Sequence, residues 1–224
     1  MHNPATIRRP VATFIGLAIA LLAAPVFMAV FRLVAGENRS DLQVLARELG
    51  IWLLVGALLW IVKRREVLPL SSIGLHTNRP LRSILRGAVL ALVVLAVTVG
   101  LYLTLKRMGI HLGEERSGAF HPSLWVVTLV MLRAGVAEEF FYRGYAIERL
   151  QSLGGGPVLA RLLPLALFAA AHYRQGLGGI IAAGVLGAVF TLFYVKFRDL
   201  LANITAHFLA DFVLNVVLPL VSGG

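Results

Sequence analysis

Apolar stretches long enough to cross a bilayer alternate with short polar connections along nearly the whole chain. A span needs about 20 apolar residues, and about seven such stretches can be read. The first covers Val11 to Leu33. The second covers Leu42 to Val62, with Ser40 or Asp41 as its cap and Lys63-Arg64-Arg65 as its stop. A connection holding Pro69, Gly74 and Pro80 leads to the third, Gly87 to Leu105, and a loop from Lys106 to Pro122 follows. Ser123 then caps a fourth stretch that is apolar from Leu124 to Leu132 and charged from there to Leu150. Gly154-Gly155-Gly156-Pro157 breaks it. The fifth, Val158 to His172, is short; the sixth runs from Gly178 to Phe197 and the seventh from Leu200 to Val221. The expected fold is all-α and polytopic. It forms one membrane domain over residues 1–224, with three spans and loops in 11–122 and a core in 123–221.

Composition agrees with that pattern. Of 224 residues, 58% are hydrophobic and only 14% charged, too few to cover a water-facing surface. The net charge of +10 sits mostly beside the apolar runs. There it acts as a topology signal and a contact for anionic lipid, and no basic stripe suited to nucleic acid is present. With the N-terminus inside, thirteen Lys and Arg (Arg8 and Arg9 among them) fall on inner segments. Seven, including Arg39 and Arg116, fall on outer ones, and Arg133 lies within a span. A cytoplasmic N-terminus is therefore expected. Arg8-Arg9 and Ala23-Ala24-Pro25 resemble a signal peptide, but the apolar run continues through Val34 and is read as a retained span. The absence of cysteine excludes a thiol nucleophile, thiolate metal ligation and disulfides.

A charge at mid-span costs about 2.5–3.5 kcal/mol on insertion scales, so those that occur need a reason. In Glu138-Glu139-Phe140-Phe141-Tyr142-Arg143, Glu139 and Arg143 are four apart in the order that favours an ion pair. Glu138 points about 100° away from Glu139, which suggests one structural carboxylate and one facing a cavity. The competing reading is an interfacial helix with solvated charges, and it suits Glu148 and Arg149. His172 shares a face with Phe168 at the end of the fifth helix; alone it reads more readily as an interfacial residue or a helix-dipole partner than as a catalytic one. Asn203, His207, Asp211 and Asn215 recur every four residues as a polar stripe on the seventh helix. The stripe serves either chemistry or interhelical hydrogen bonding. Arg133 is either a counter-ion for one of the acids or a snorkelling side chain.

Together, Glu138-Glu139…Arg143, Phe168…His172 and His207…Asp211 on successive apolar helices resemble the CAAX protease and bacteriocin-processing family (CPBP, or Abi). The resemblance covers roughly Leu124 to Leu220. It implies a glutamic-type intramembrane endopeptidase that needs no cofactor and no metal, acting on peptide or protein substrates at the membrane. By motif position, Glu138 would be the general base, His172 would help it activate water, and His207 and Asp211 would stabilise the oxyanion. Glu139, Arg143 and Asn203 would support them. Asp211 stands where the family often has Asn, and an ionised aspartate cannot donate to an oxyanion; orienting His207 is its other role. Prenylated CAAX tails and leader peptides are the substrate classes the family name suggests.

Two other readings compete. His172, His207 and a carboxylate could be zinc ligands, although no HExxH is present. Buried Glu, His and Asp could instead relay protons in a transporter, or the chain could be a non-catalytic scaffold, although no inverted repeat is visible. A shared peptidase site also requires the short fifth helix to tilt or start below the surface, so that His172 meets the others at depth.

Overall fold

In a computed structural model of the chain, residues 10–37, 40–76, 78–110 and 121–222 are described. Arg8, Arg9, Arg39 and Arg116 of the charge count lie outside them, as does most of the loop before Ser123. Among the described residues the structure is helical, with no strand. Seven long helices run in chain order: α1 (Pro10–Ala35), α2 (Asp41–Arg65), α3 (Pro80–Arg107), α4 (124–152), α5 (Gly156–Ala171), α6 (Gly176–Phe197) and α7 (Leu200–Val221). Five of them are long and apolar enough to cross a membrane: α1, α2, α3, α7 and α6 with its preceding turn. Against the expected seven spans, α4 carries charge through its middle and α5 is shorter than a span. Leu53, Leu92 and Leu192 are exposed on the helix surfaces, as lipid-facing positions should be. The chain is an integral membrane protein.

Local chemistry sets the helix ends. Gly36, with φ of 73°, closes α1 by donating to the Arg32 carbonyl at 2.8 Å. Ser40 caps α2, its hydroxyl accepting from Gln43 N at 3.3 Å. Asp41 serves elsewhere: its carboxylate accepts from Ser123 N (3.1 Å) and Ser123 Oγ (2.5 Å), fixing the start of α4 to the start of α2. The third helix begins two turns before the expected Gly87, because Pro80 is pre-set for a first turn and lacks only an N–H that no partner awaits. Asp199 caps α7 through Ala202 N and also accepts from Ser83 Oγ at 2.9 Å.

Two glycines let α7 pack tightly between neighbours. A Cβ on Gly87 of α3 would come 2.7 Å from the Ala202 carbonyl, and one on Gly135 of α4 would come 3.0 Å from Phe208 N. The helix that carries the polar stripe is thus held against α3 on one side and α4 on the other. Within α4, the turns from Glu139 to Ile147 widen to π-helix, and all nine of these residues are buried. Phe140, Phe141, Tyr142 and Tyr145 in this segment form the centre of the main apolar core, which also takes in α1 and α2 residues such as Leu17 and Leu58.

The end of α4 departs from expectation. Glu148 and Arg149 are buried and paired, not solvated. Arg149 donates to Glu66 at 2.9 Å, and Glu66 also accepts from Thr13 Oγ1 (2.9 Å) and Tyr145 OH (2.8 Å). Glu148 accepts from Tyr194 OH at 3.0 Å and from both Nε (2.8 Å) and Nη2 (2.7 Å) of Arg198. The continuing helix draws these charges inside, and each carboxylate meets enough donors to offset the loss of water.

Candidate active site

The adjacent glutamates of α4 face different surroundings. Glu139 opens the π-helical segment and its side chain is 0% exposed. Its Oε1 accepts from Arg143 Nη1 at 2.9 Å and lies 2.8 Å from His207 Nδ1; its Oε2 accepts from Asn203 Nδ2 at 2.9 Å. With three polar partners around it and no exposed surface, this carboxylate is closed to a substrate. Glu138, one residue earlier, keeps 23% of its side chain exposed. Of the two, Glu139 is the buried carboxylate and Glu138 the more open one.

His207 joins the two. Its ring stacks on Phe190, with centroids 5.1 Å apart and an 18° interplanar angle, so the imidazole plane is fixed. With Nδ1 held by Glu139, Nε2 lies 3.4 Å from Asp211 Oδ2 and 3.9 Å from Glu138 Oε2. Asn203, His207 and Asp211 therefore bear on one site. Asn215 does not: it is exposed and donates to the Asp211 carbonyl of its own helix at 2.9 Å. Asn203 also donates to the Phe190 carbonyl at 3.0 Å, tying α7 to α6.

Arg133 is a counter-ion, not a snorkelling residue. Its Nε bonds Glu48 Oε2 of α2, and its Nη1 lies 3.4 Å from Glu138 Oε1. Glu48 in turn accepts from Arg47 Nε (2.9 Å) and Nη2 (2.7 Å). Glu48 is buried and reaches the site through Arg133, a role the sequence analysis does not assign to it. The signal was available: a lone arginine within a span demands an acid, and Glu48 stands eight residues inside α2.

Arg143 is 1% exposed, with Nη2 donating to the Gly187 carbonyl at 3.2 Å and its guanidinium 4.3 Å over the Phe168 ring. Gly187 permits this approach, since a Cβ there would lie 3.0 Å from both Arg143 Nη2 and Phe168 Cδ1. Helices α4 and α5 are joined by a three-residue turn and run antiparallel. The Arg143–Phe168 contact thus sets their relative height. One turn beyond Phe168 is His172, and one turn before Arg143 is Glu139, so these two stand at similar depth. His172 makes no ion pair or hydrogen bond with Glu138, Glu139 or His207 among the described residues. Its Nδ1 meets the Phe168 carbonyl at 2.8 Å and its ring lies 4.8 Å from that of Phe168. Phe168 is the link, touching Tyr142, Arg143 and His172.

No group of three or more His, Asp and Glu side chains among the described residues is arranged to hold a metal ion. The donors are already engaged: Arg133, Arg143 and Asn203 point at the carboxylates where a cation would sit.

Residues 120–213, which contain every member of this cluster except Arg47 and Glu48, match the model of a family described as type II CAAX prenyl endopeptidase Rce1-like. This segment is similar to the Rce1-like family. The resemblance read from the three motifs is borne out, over nearly the same stretch of chain. The match supports peptidase activity of the CAAX type in general, on membrane-associated peptides. No curated protein and no solved structure matches the chain. The Rce1-like segment runs from the start of α4 into the last turns of α7, and α1 to α3 lie outside it.

Proposed function

We propose that the chain is a glutamic-type intramembrane endopeptidase in which Glu138 activates the attacking water and His207 stabilises the oxyanion. The observation that carries this reading is the contrast within one dipeptide. Glu139 is sealed and spent on three donors, whereas Glu138 is open and faces the Nε2 of a fixed imidazole 3.9 Å away. That separation is too long for a direct hydrogen bond and short enough for the two groups to address the two oxygens of one reacting centre, the attacking water and the carbonyl.

In the proposed step, Glu138 takes a proton from water as the oxygen attacks the scissile carbonyl. The negative charge that develops on the carbonyl oxygen is met by His207 Nε2–H. Glu138 then returns the proton to the leaving amine, and the carbonyl re-forms. His172, level with Glu139 through the Arg143–Phe168 contact, is the second partner for the water. Asp211 orients His207 rather than donating to the oxyanion, and Arg143 with Asn203 fixes Glu139 beneath the ring. Substrates are membrane-associated chains of the prenylated CAAX-tail or leader-peptide class, and the N-terminus is cytoplasmic.

The test is purified protein reconstituted in liposomes with farnesylated CAAX peptides, together with mass spectrometry of peptides that accumulate in membranes carrying Glu138→Gln. The substitution keeps the shape and removes the base. A loss of about 10²–10⁴-fold in cleavage is expected, with unchanged thermal unfolding. Cleavage at the normal rate by the folded variant rejects the assignment.

A further inference from the structure

Away from Glu138 and His207, the end of α4, the start of α5 and the end of α6 line a cavity of about 500 Å³ that opens to the surface. Its polar walls are Glu148, Gln151, Arg161, Tyr194 and Arg198, with Gly156 and Pro157 at the first turn of α5. None of these belongs to the site described above. We infer that this cavity binds a phosphate-bearing anion, with Arg161 as its principal ligand.

The charges on the wall are spent unevenly. Glu148 uses both oxygens on Arg198, at 2.8 and 2.7 Å, and accepts from Tyr194 at 3.0 Å. The acid and one of the two guanidiniums thus cancel within the protein. Arg161 has no ion pair and no hydrogen bond among the described residues, and its Nε is shielded from solvent without an acceptor. A guanidinium N–H closed off in this way is costly unless an acceptor arrives. Arg161 also stands in the second turn of α5, near the helix end whose dipole already favours negative charge, so a cation there lacks compensation. Among the described residues, nothing that lines the cavity answers that excess.

A phosphate group does. Its oxygens suit the planar fork of a guanidinium, while the Gln151 amide can donate from the same wall. The location fits a lipid headgroup: the cavity lies at the bundle end where α2 and α6 finish in Lys63, Arg64, Arg65 and Lys196. Basic pockets between membrane helices take anionic headgroups in this setting. Inorganic phosphate shares the same chemistry, and the two sources separate by experiment. This binding does not depend on the peptidase reading.

The full-length protein in neutral detergent is titrated with phosphatidylglycerol, with phosphatidylcholine and with inorganic phosphate, following the unfolding temperature. Wild type is expected to gain a saturable upward shift with phosphatidylglycerol but not with phosphatidylcholine. A matching shift with inorganic phosphate assigns the site to the free anion; none assigns it to the headgroup. Arg161→Gln should weaken the apparent affinity roughly tenfold or more, as for loss of a charge-assisted contact, and Arg161→Lys should restore part of it. Gln151→Glu adds a carboxylate to the wall without touching Arg161 and should weaken binding too. Arg64→Gln, at an exposed arginine outside the cavity, should titrate like wild type. The inference is overturned if neither phosphate-bearing probe shifts wild type. It is equally overturned if Arg161→Gln and Gln151→Glu both titrate as wild type does, or if Arg64→Gln loses as much affinity as Arg161→Gln.

Discussion

Arg133 stands between Glu48 and Glu138, bonded through Nε to the first and 3.4 Å through Nη1 from the second. The bridge joins α2, outside the Rce1-like segment, to the open carboxylate inside it. A guanidinium shared between two acids holds each less strongly than it would hold either alone. Glu48, itself 5% exposed and also bonded to Arg47, therefore limits how tightly Arg133 can grip Glu138.

That sharing predicts opposite behaviour for its two ends. Arg133→Met leaves Glu48 and Glu138 without their common partner. It should lower stability by up to about 3–5 kcal/mol, the range for breaking a buried pair. Glu48→Gln leaves Arg133 free to turn fully to Glu138, and the catalytic rate constant should fall with little change in KM. Thermal unfolding and steady-state cleavage by the two purified variants check this. A Glu48→Gln enzyme with normal kcat would show that the bridge has no bearing on the base.

Gly187 predicts a packing effect with a catalytic echo. A Cβ there meets Leu165 Cδ1 at 2.9 Å as well as Arg143 Nη2 and Phe168 Cδ1 at 3.0 Å. Gly187→Ala should cost about 1–3 kcal/mol as overpacking, and cleavage should fall because Arg143 is pushed off Glu139. Gly100→Ala is the control. Gly100 lies within α3 with open space around its Cβ direction, so alanine should be neutral or stabilise by up to about 1 kcal/mol. Unfolding measurements in one detergent rank the pair.

The Glu66 hub predicts the reverse, loss of stability with chemistry spared. Thr13, Tyr145 and Arg149 all donate to this one carboxylate, and Gly16 makes room: a Cβ there would overlap the Tyr145 hydroxyl at 1.9 Å. Glu66→Ala strands a buried arginine and should destabilise the fold by about 3–5 kcal/mol. The fraction that remains folded should cleave with normal kcat, because the hub touches neither Glu138 nor His207. Activity normalised to folded protein, measured by size-exclusion chromatography and cleavage together, checks this.

The polar periodicity of α7 and the order of Glu139 and Arg143 made much of the site legible, because both depend only on spacing along a helix. Asn203 and His207 meet Glu139 of α4, with Asp211 beside His207, as their four-residue recurrence requires. Glu48 was not legible as a site residue, since its role depends on α2 lying beside α4, which no local pattern encodes. The burial of Glu148 and Arg149 was misread for a related reason. A charged dipeptide at a helix end looks solvated unless Glu66, Tyr194 and Arg198 are known to close over it. The helix count was readable from hydropathy. Which helices have the apolarity and length to cross was blurred by the charge within α4 and the shortness of α5.

Asp211 gives the sharpest test of how the oxyanion is met. Its Oδ2 lies 3.4 Å from His207 Nε2, and 31% of its side chain is exposed, so it is placed to orient the ring from the open side. If orientation is its role, Asp211→Asn keeps an acceptor oxygen near Nε2 and adds an N–H that can itself reach toward the developing charge. Cleavage by Asp211→Asn should then stay within about tenfold of wild type. Asp211→Ala removes both functions and should lose more, whereas His207→Ala takes away the donor and should lose about 10²–10³-fold, as for removal of an oxyanion contact. Steady-state kinetics on the three variants give the ranking. Asp211→Asn falling as far as His207→Ala would mean that the carboxylate charge itself is needed, and the orienting role would be wrong.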